Sequence, residues 1–369
     1  MIYVIILLLM VLLRFCLPRD TEKNRRVFVS LVCVMLLIVA ACRAPEVGRD
    51  TSDFMDVFDK LAGRGLFDAL TFSSWVEPGF RLLCLGISLF TKNAAWLVAV
   101  SSVIIHVSVC RFIYRHTANP YLACFLYLTL TLYPWYLNVM RQALAIAILL
   151  WGWGLLKRRR FVRYTLVVLL AASFHVSALL FLLCPIACLV PVSKKSLSVL
   201  LPVTAVLALL GALFVRPVVA LAVKLVPHYG DYEPTTFLAL YGFLAFFAAV
   251  TAFGIWRFYF TGENRATVNA YGFDERGFLT VMMLCGVVVA AAMTRFGQLQ
   301  RVFNYFEVCY LLWLPLAVPP AVFDEERRHL SFHVIEIATV LVCLAYFFFI
   351  IFARSAVWYD ALPYRFFWQ

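Results

Sequence analysis

Charge is what this sequence has least of. Only 14% of its 369 residues are Asp, Glu, Lys or Arg, where a soluble domain carries about 25%. With 64% hydrophobic residues, a soluble fold of this length has no interior large enough to hide the apolar surface. Other absences narrow the class further. The apolar residues run on without alternating, which excludes a transmembrane β-barrel. The eleven cysteines form no CxxC or Cys/His pattern with metal spacing. Most sit in apolar runs (Cys16, Cys33, Cys84, Cys184, Cys285, Cys343), so they read as small buried hydrophobes and no metal is expected. The first apolar run has neither a basic stretch before it nor a small-residue cleavage site after it, so it reads as a span and not a signal peptide. The two halves share no self-similarity, which argues against a repeat-built transporter or flippase.

What is present is a series of long apolar runs: Met1–Leu17, Val27–Cys42, Ala94–Ile113, Leu197–Val215, Phe237–Phe260, Gly277–Met293 and Phe332–Ala353. Most approach or exceed the ~20 residues that cross a ~30 Å hydrocarbon core as helix. The expected fold is therefore all-α: one polytopic transmembrane helical bundle over residues 1–369. It should have about ten to twelve spans, one or two of them short re-entrant or broken helices, in a GT-C-like layout. The net charge of +12 concentrates in short loops such as Pro18–Arg26 and Lys157–Arg163. That is the positive-inside bias and not a nucleic-acid surface. With these loops cytoplasmic, the acidic loop 43–77 and a second loop, 216–236, fall outside the cell.

Two segments break the parity of spans. Pro78–Phe90 is short for a crossing, and Tyr164–Val192 is too long for one yet has basic loops on both sides. Each is either a re-entrant or broken helix, tolerated where protein surrounds it, or a tilted helix beside a misplaced loop.

Polar residues gather at these breaks. Tyr133-Pro134-Trp135-Tyr136 leads into Asn138, Arg141 and Gln142, whose three- and four-residue spacing puts them on one face of a single helix. Arg141 is either an interfacial snorkelling residue or an anion ligand. In the acidic loop, Phe54, Val57, Phe58 and Leu61 recur at helical spacing and predict an amphipathic helix lying on the membrane. Asp50 is placed as its N-cap or as a catalytic acid, Arg49 adjoins it, and Asp53 sits on the polar face. Glu77 is the carboxylate at the mouth of the short segment. His175, between Ser173 and Ser177, is either a packing residue or a catalyst. Further on, Arg301, Asn304 and Tyr305 share a face, with Glu307 one turn deeper and placed to pair with Arg295 or Arg301. The Tyr229-Gly230-Asp231-Tyr232 turn would add contacts to a sugar.

Several of these stretches resemble a known family in order and spacing. They are Gly48-Arg49-Asp50 with Phe54 and Phe58, Glu77-Pro78-Gly79-Phe80, Asn138 with Arg141-Gln142 and Ala145, Phe174-His175-Val176-Ser177-Ala178, and Arg301 with Tyr305-Phe306 and Pro315. The resemblance is to the EpsG family, bacterial membrane proteins related to Wzy-type polysaccharide (O-antigen) polymerases, and it covers nearly the whole chain. The family's usual Gly-Thr-Asp-Tyr reads Gly48-Arg49-Asp50-Thr51 here, so the aromatic is lost. The resemblance implies a glycosyltransferase of the bacterial cytoplasmic (inner) membrane with its site facing outside. It would join lipid-linked oligosaccharide repeat units into a surface exopolysaccharide, the glycan leaving undecaprenyl diphosphate for an acceptor hydroxyl. Arg141, Arg295 and Arg301 would hold the diphosphate, with Arg49, Asn138, Gln142 and Tyr305 as further substrate contacts. Asp50, Asp53, Glu77 or His175 would take the proton. No cofactor is expected, and arginine would replace a divalent cation. Partners would be the lipid-linked substrate and membrane lipid, with a chain-length regulator and a flippase alongside. The alternatives are another polyprenyl-linked glycosyl- or acyltransferase, or a lipid-oligosaccharide flippase.

Overall fold

The computed structural model describes residues 2–72, 76–225, 238–261, 268–358 and 362–369. In chain order, α1 (Ile2–Cys16) and α2 (Glu22–Ala41) are followed by the short α3 (Thr51–Leu61), α4 (Leu66–Thr71) and α5 (Pro78–Ser88). Next come α6 (Ala95–His116), α7 (Pro120–Thr129), α8 (Leu132–Asn138), α9 (Met140–Lys157) and α10 (Phe161–Ala172). A 3-10 helix, Val176–Leu183, leads to α11 (Cys184–Ala187), then α12 (Lys194–Leu225), α13 (Leu238–Phe260) and α14 (Glu275–Met293). The chain closes with α15 (Gln300–Glu307), α16 (Tyr310–Ala317), the antiparallel hairpin β1 (Val322–Asp324) and β2 (His329–Ser331), and α17 (Val334–Trp358). This is the all-α bundle that the apolar runs predict.

Six helices among the described residues are long and apolar enough to cross a membrane: α2, α6, α12, α13, α14 and α17. Each matches one of the long apolar runs, because a peptide in hydrocarbon must satisfy its own N–H and C=O groups and only the helix does so within one segment. The other apolar stretches are divided into shorter pieces. Pro78–Phe90 becomes the 11-residue α5. Tyr164–Val192 is no single tilted helix, since α10 stops at Ala172 and the chain resumes as a 3-10 turn.

The chain forms two compact units. The first comprises Met1–Leu155, Arg160–Leu182 and Val318–Gln369, the second Leu156–Arg159 and Leu183–Ala317. At the centre of the first, every residue of α7 and α8 is buried. Asn119 starts α7 by accepting the Leu122 N–H at 3.1 Å, and Pro120 supplies a first-turn φ with no orphan donor. Thr131, left-handed at φ 68°, separates α7 from α8, and Val139 separates α8 from α9. In the second unit, α14 packs on both α12 and α13. A β-carbon on Gly211 would lie 3.4 Å from Ala292 Cβ, the close approach that small residues permit between membrane helices.

The apolar face of α3 turns out differently from the expectation. Phe54, Val57, Phe58 and Leu61 are buried, with Phe54 against Phe80 of α5 at 5.1 Å between ring centroids. Protein, and not lipid, covers this face. A second joint fixes its start. Asn138 Oδ1 accepts the Arg49 N–H at 2.8 Å, and Asn138 Nδ2 donates to the Pro134 carbonyl at 3.0 Å. Gly48, at φ +93°, passes so close to Leu137 that a β-carbon would lie 3.0 Å from its carbonyl carbon. Asn138→Ala should therefore lower stability by roughly 1–3 kcal/mol, the cost of leaving buried polar groups unpaired. A thermal melt of the full chain in detergent checks this; an unchanged midpoint would show that the amide is not a structural fastener.

Candidate active site

Three chain segments that are far apart in sequence meet at one carboxylate in the first unit. Glu77 occupies the N-cap position of α5 but makes no side-chain capping bond. Its side chain reaches elsewhere. Glu77 Oε2 accepts from Arg141 Nη1 in an ion pair. Glu77 Oε1 accepts from His175 Nδ1 at 3.1 Å and from the Val176 N–H at 3.3 Å. The three side chains are 17% (Glu77), 12% (Arg141) and 16% (His175) exposed, so the cluster is mostly desolvated yet open at its edge.

Local chemistry explains each position. Val139 interrupts the chain after α8, which places Arg141 in the first turn of α9. Phe54 lies beneath its guanidinium, 5.3 Å from ring centroid to Cζ, within cation–π range. Pro78 opens α5 and Gly79 follows at a close crossing. The Gly79 N–H donates to the Ser173 carbonyl at 2.7 Å, and a β-carbon on Gly79 would lie 2.7 Å from that oxygen. Ser173 closes α10, so His175 falls in the break before the 3-10 helix. The Glu77 carboxylate then sits at that helix's start, where the free N–H groups favour negative charge.

Burial alone would raise the Glu77 carboxyl, but the His175 hydrogen bond and the Arg141 charge outweigh it and hold the group below its ordinary value. An ionised carboxylate only accepts hydrogen bonds, so His175 carries its proton on Nδ1 and, when neutral, leaves Nε2 as an acceptor. The cluster thus offers a guanidinium for an anion and an imidazole oriented by a carboxylate.

The other expected residues lie in varied places. Asn138 ends α8, and the break at Val139 parts it from Arg141 and Gln142. The three do not share one helix face, and the Asn138 amide is spent on the backbone of Pro134 and Arg49. Gln142 is buried on α9. Arg49 and Asp53 are exposed, Asp53 on the first turn of α3. Asp50 holds the N-cap position there without a capping bond from its side chain. In the second unit, Arg295 is exposed and its carbonyl accepts from Arg216 Nε at 3.2 Å. Arg301 is half-buried and Tyr305 fully buried on α15. Glu307 is buried too, and among the described residues no ion pair joins it to the exposed Arg295 or to Arg301. The Tyr229-Gly230-Asp231-Tyr232 turn lies outside the described residues. Among the described residues, no three His, Cys, Asp or Glu side chains cluster to hold a metal ion.

Two participants escaped sequence reasoning. Phe54 reads as membrane-facing until its partner Phe80 is known, and the Gly79–Ser173 crossing has no signal beyond a glycine after proline. No curated protein and no solved structure matches the chain. The model of the EpsG family matches residues 26–366, a stretch that includes Glu77, Arg141 and His175 together with the motifs around them. The chain belongs to the EpsG family.

Proposed function

We propose that this protein polymerises lipid-linked oligosaccharide repeat units on the outer side of the bacterial cytoplasmic membrane, passing the growing glycan from undecaprenyl diphosphate to an acceptor hydroxyl. Family membership supports the coarse reading, a multi-pass membrane protein of the polysaccharide-polymerase type. The observation that carries the chemistry is the Glu77 carboxylate gathering Arg141 and His175.

In this reading the acceptor oxygen attacks the anomeric carbon and the bond to the diphosphate breaks. The leaving diphosphate gains negative charge, and the Arg141 guanidinium stabilises it. His175 Nε2 takes the acceptor proton, and Glu77 steadies the resulting imidazolium through Nδ1. Glu77 and the diphosphate compete for Arg141. When the diphosphate wins, Glu77 loses part of its counter-charge and serves His175 better. Arg49, Gln142, Arg295, Arg301 and Tyr305 remain further candidates for holding the diphosphate and sugars, and Asp50 and Asp53 for taking the acceptor proton. A flippase would deliver the substrate, and a chain-length regulator would act on the product.

Arg141→Ala should abolish long-chain polysaccharide while single repeat units still reach the outer face, and normal chain lengths on a gel of the surface glycan would refute the assignment. His175→Ala should slow conversion of purified lipid-linked units by about 10²–10⁴-fold, the usual contribution of a positioned acid–base group. The Glu77 carboxyl is held below its unfolded value of about 4.3. Its contribution to stability is therefore fully present above about pH 5 and is lost as pH falls through the folded value. Melting curves between these limits should show an acid-side loss in the wild type that is smaller in Glu77→Gln.

A further inference from the structure

On another face of the first unit, α1, α7 and α17 enclose an apolar crevice of about 260 Å³ whose walls include Met10, Phe125, Val340 and Leu341. Two charged side chains also line it, and both are more than nine-tenths buried: Arg14 is 7% exposed and Glu336 6%. Each is only half satisfied. Arg14 Nη1 donates to the carbonyls of Leu17 (2.6 Å) and Pro18 (3.0 Å), and its guanidinium lies over the Tyr121 ring at 4.1 Å. Arg14 Nη2 has no hydrogen bond. Glu336 Oε1 accepts from Asn119 Nδ2 at 3.2 Å, while Oε2 has none. The two charges attract each other across the crevice and the Ala321 backbone supports the Glu336 carboxylate, but among the described residues no direct salt bridge joins Arg14 to Glu336.

A guanidinium nitrogen and a carboxylate oxygen that each lack a hydrogen bond inside one apolar crevice are costly unless a ligand supplies both complements. The rim says where that ligand comes from. Leu341 and Phe15 are exposed on a surface that faces lipid in a membrane-spanning chain. The crevice lies beside two loops that touch, with Arg19 Nε 3.8 Å from Glu325 Oε1 and its guanidinium over Phe323. The first of them, Pro18–Arg26, is one of the basic loops that the positive-inside bias places on the cytoplasmic side.

We infer that the crevice binds a zwitterionic phospholipid with a primary ammonium head, of the phosphatidylethanolamine class. Its phosphate accepts from Arg14 Nη2, its ammonium donates to Glu336 Oε2, and its acyl chains lie along Met10, Val340 and Leu341. A choline head carries the same charge but has no N–H to donate, and a glycerol head carries no cation. The site takes a lipid of the leaflet opposite to the proposed reaction centre.

The test is native mass spectrometry of the full chain released from nanodiscs of equimolar phosphatidylethanolamine, phosphatidylcholine and phosphatidylglycerol with matched acyl chains. The wild type should retain the ethanolamine lipid roughly tenfold over the other two, as a charge-assisted hydrogen bond allows. Glu336→Gln should erase that preference, and Arg14→Gln should lower retention of all three. Leu341→Trp fills the groove from its exposed side and leaves both polar groups in place, so it should lose the lipid with an unchanged melting temperature. Equal retention of the three lipids by the wild type, or a preference that survives Glu336→Gln, would overturn the assignment.

Discussion

In hydrocarbon a helix can stop only where something other than water takes up the backbone groups that the stop sets free. That constraint organises the first unit. The chain is interrupted before α5, between α8 and α9, and after α10. At each interruption a polar side chain or a second backbone closes the gap. Asn138 holds the Arg49 N–H, the Ser173 carbonyl takes the Gly79 N–H, and the Glu77 carboxylate takes the Val176 N–H. Glu77 belongs to both sets: it takes the freed Val176 N–H and also gathers Arg141 and His175. The cluster of Glu77, Arg141 and His175 is thus a consequence of broken helices meeting, and it needs no dedicated loop to build it.

Much of this was legible in the sequence and some was not, for physical reasons. Continuous apolar runs announced the long helices, because burial in lipid demands about 20 such residues and no soluble element does. The breaks were legible where parity failed, as in Tyr164–Val192, and His175 drew attention as a polar group in an apolar stretch. Helical periodicity misled in two places. It treated Asn138, Arg141 and Gln142 as one face because spacing alone does not reveal the kink at Val139. It also assigned the face of Phe54 and Phe58 to the membrane, because an apolar stripe looks the same whether lipid or protein will cover it. Glu77 was visible as a lone acid beside a proline. Its bonds to Arg141 and His175, 64 and 98 residues away, were not, since contacts at that separation leave no local pattern.

Position also sorts the acids that sequence alone left level. Asp53 lies exposed on α3, where water screens its charge and weakens any push on a reacting group. Glu77 is largely enclosed, and each of its oxygens has a defined donor. A carboxylate in that setting acts through geometry as well as charge, fixing the imidazole tautomer as it fixes the guanidinium.

Pairing Arg141 with Glu77 has a further consequence for selectivity. A bare guanidinium in a half-buried site attracts any anion, including the abundant lipid phosphates of the membrane. Here an incoming anion must displace a carboxylate already bonded to the arginine and partly shielded by the Phe54 ring. A phosphodiester with one negative charge exchanges one monoanion for another and gains little. A diphosphate, with more charge and more acceptor oxygens, has a net advantage. The internal ion pair therefore lowers affinity for every anion by the same displacement cost, so that in the proposed reaction only a ligand binding Arg141 more strongly than a single phosphodiester does would keep the site occupied.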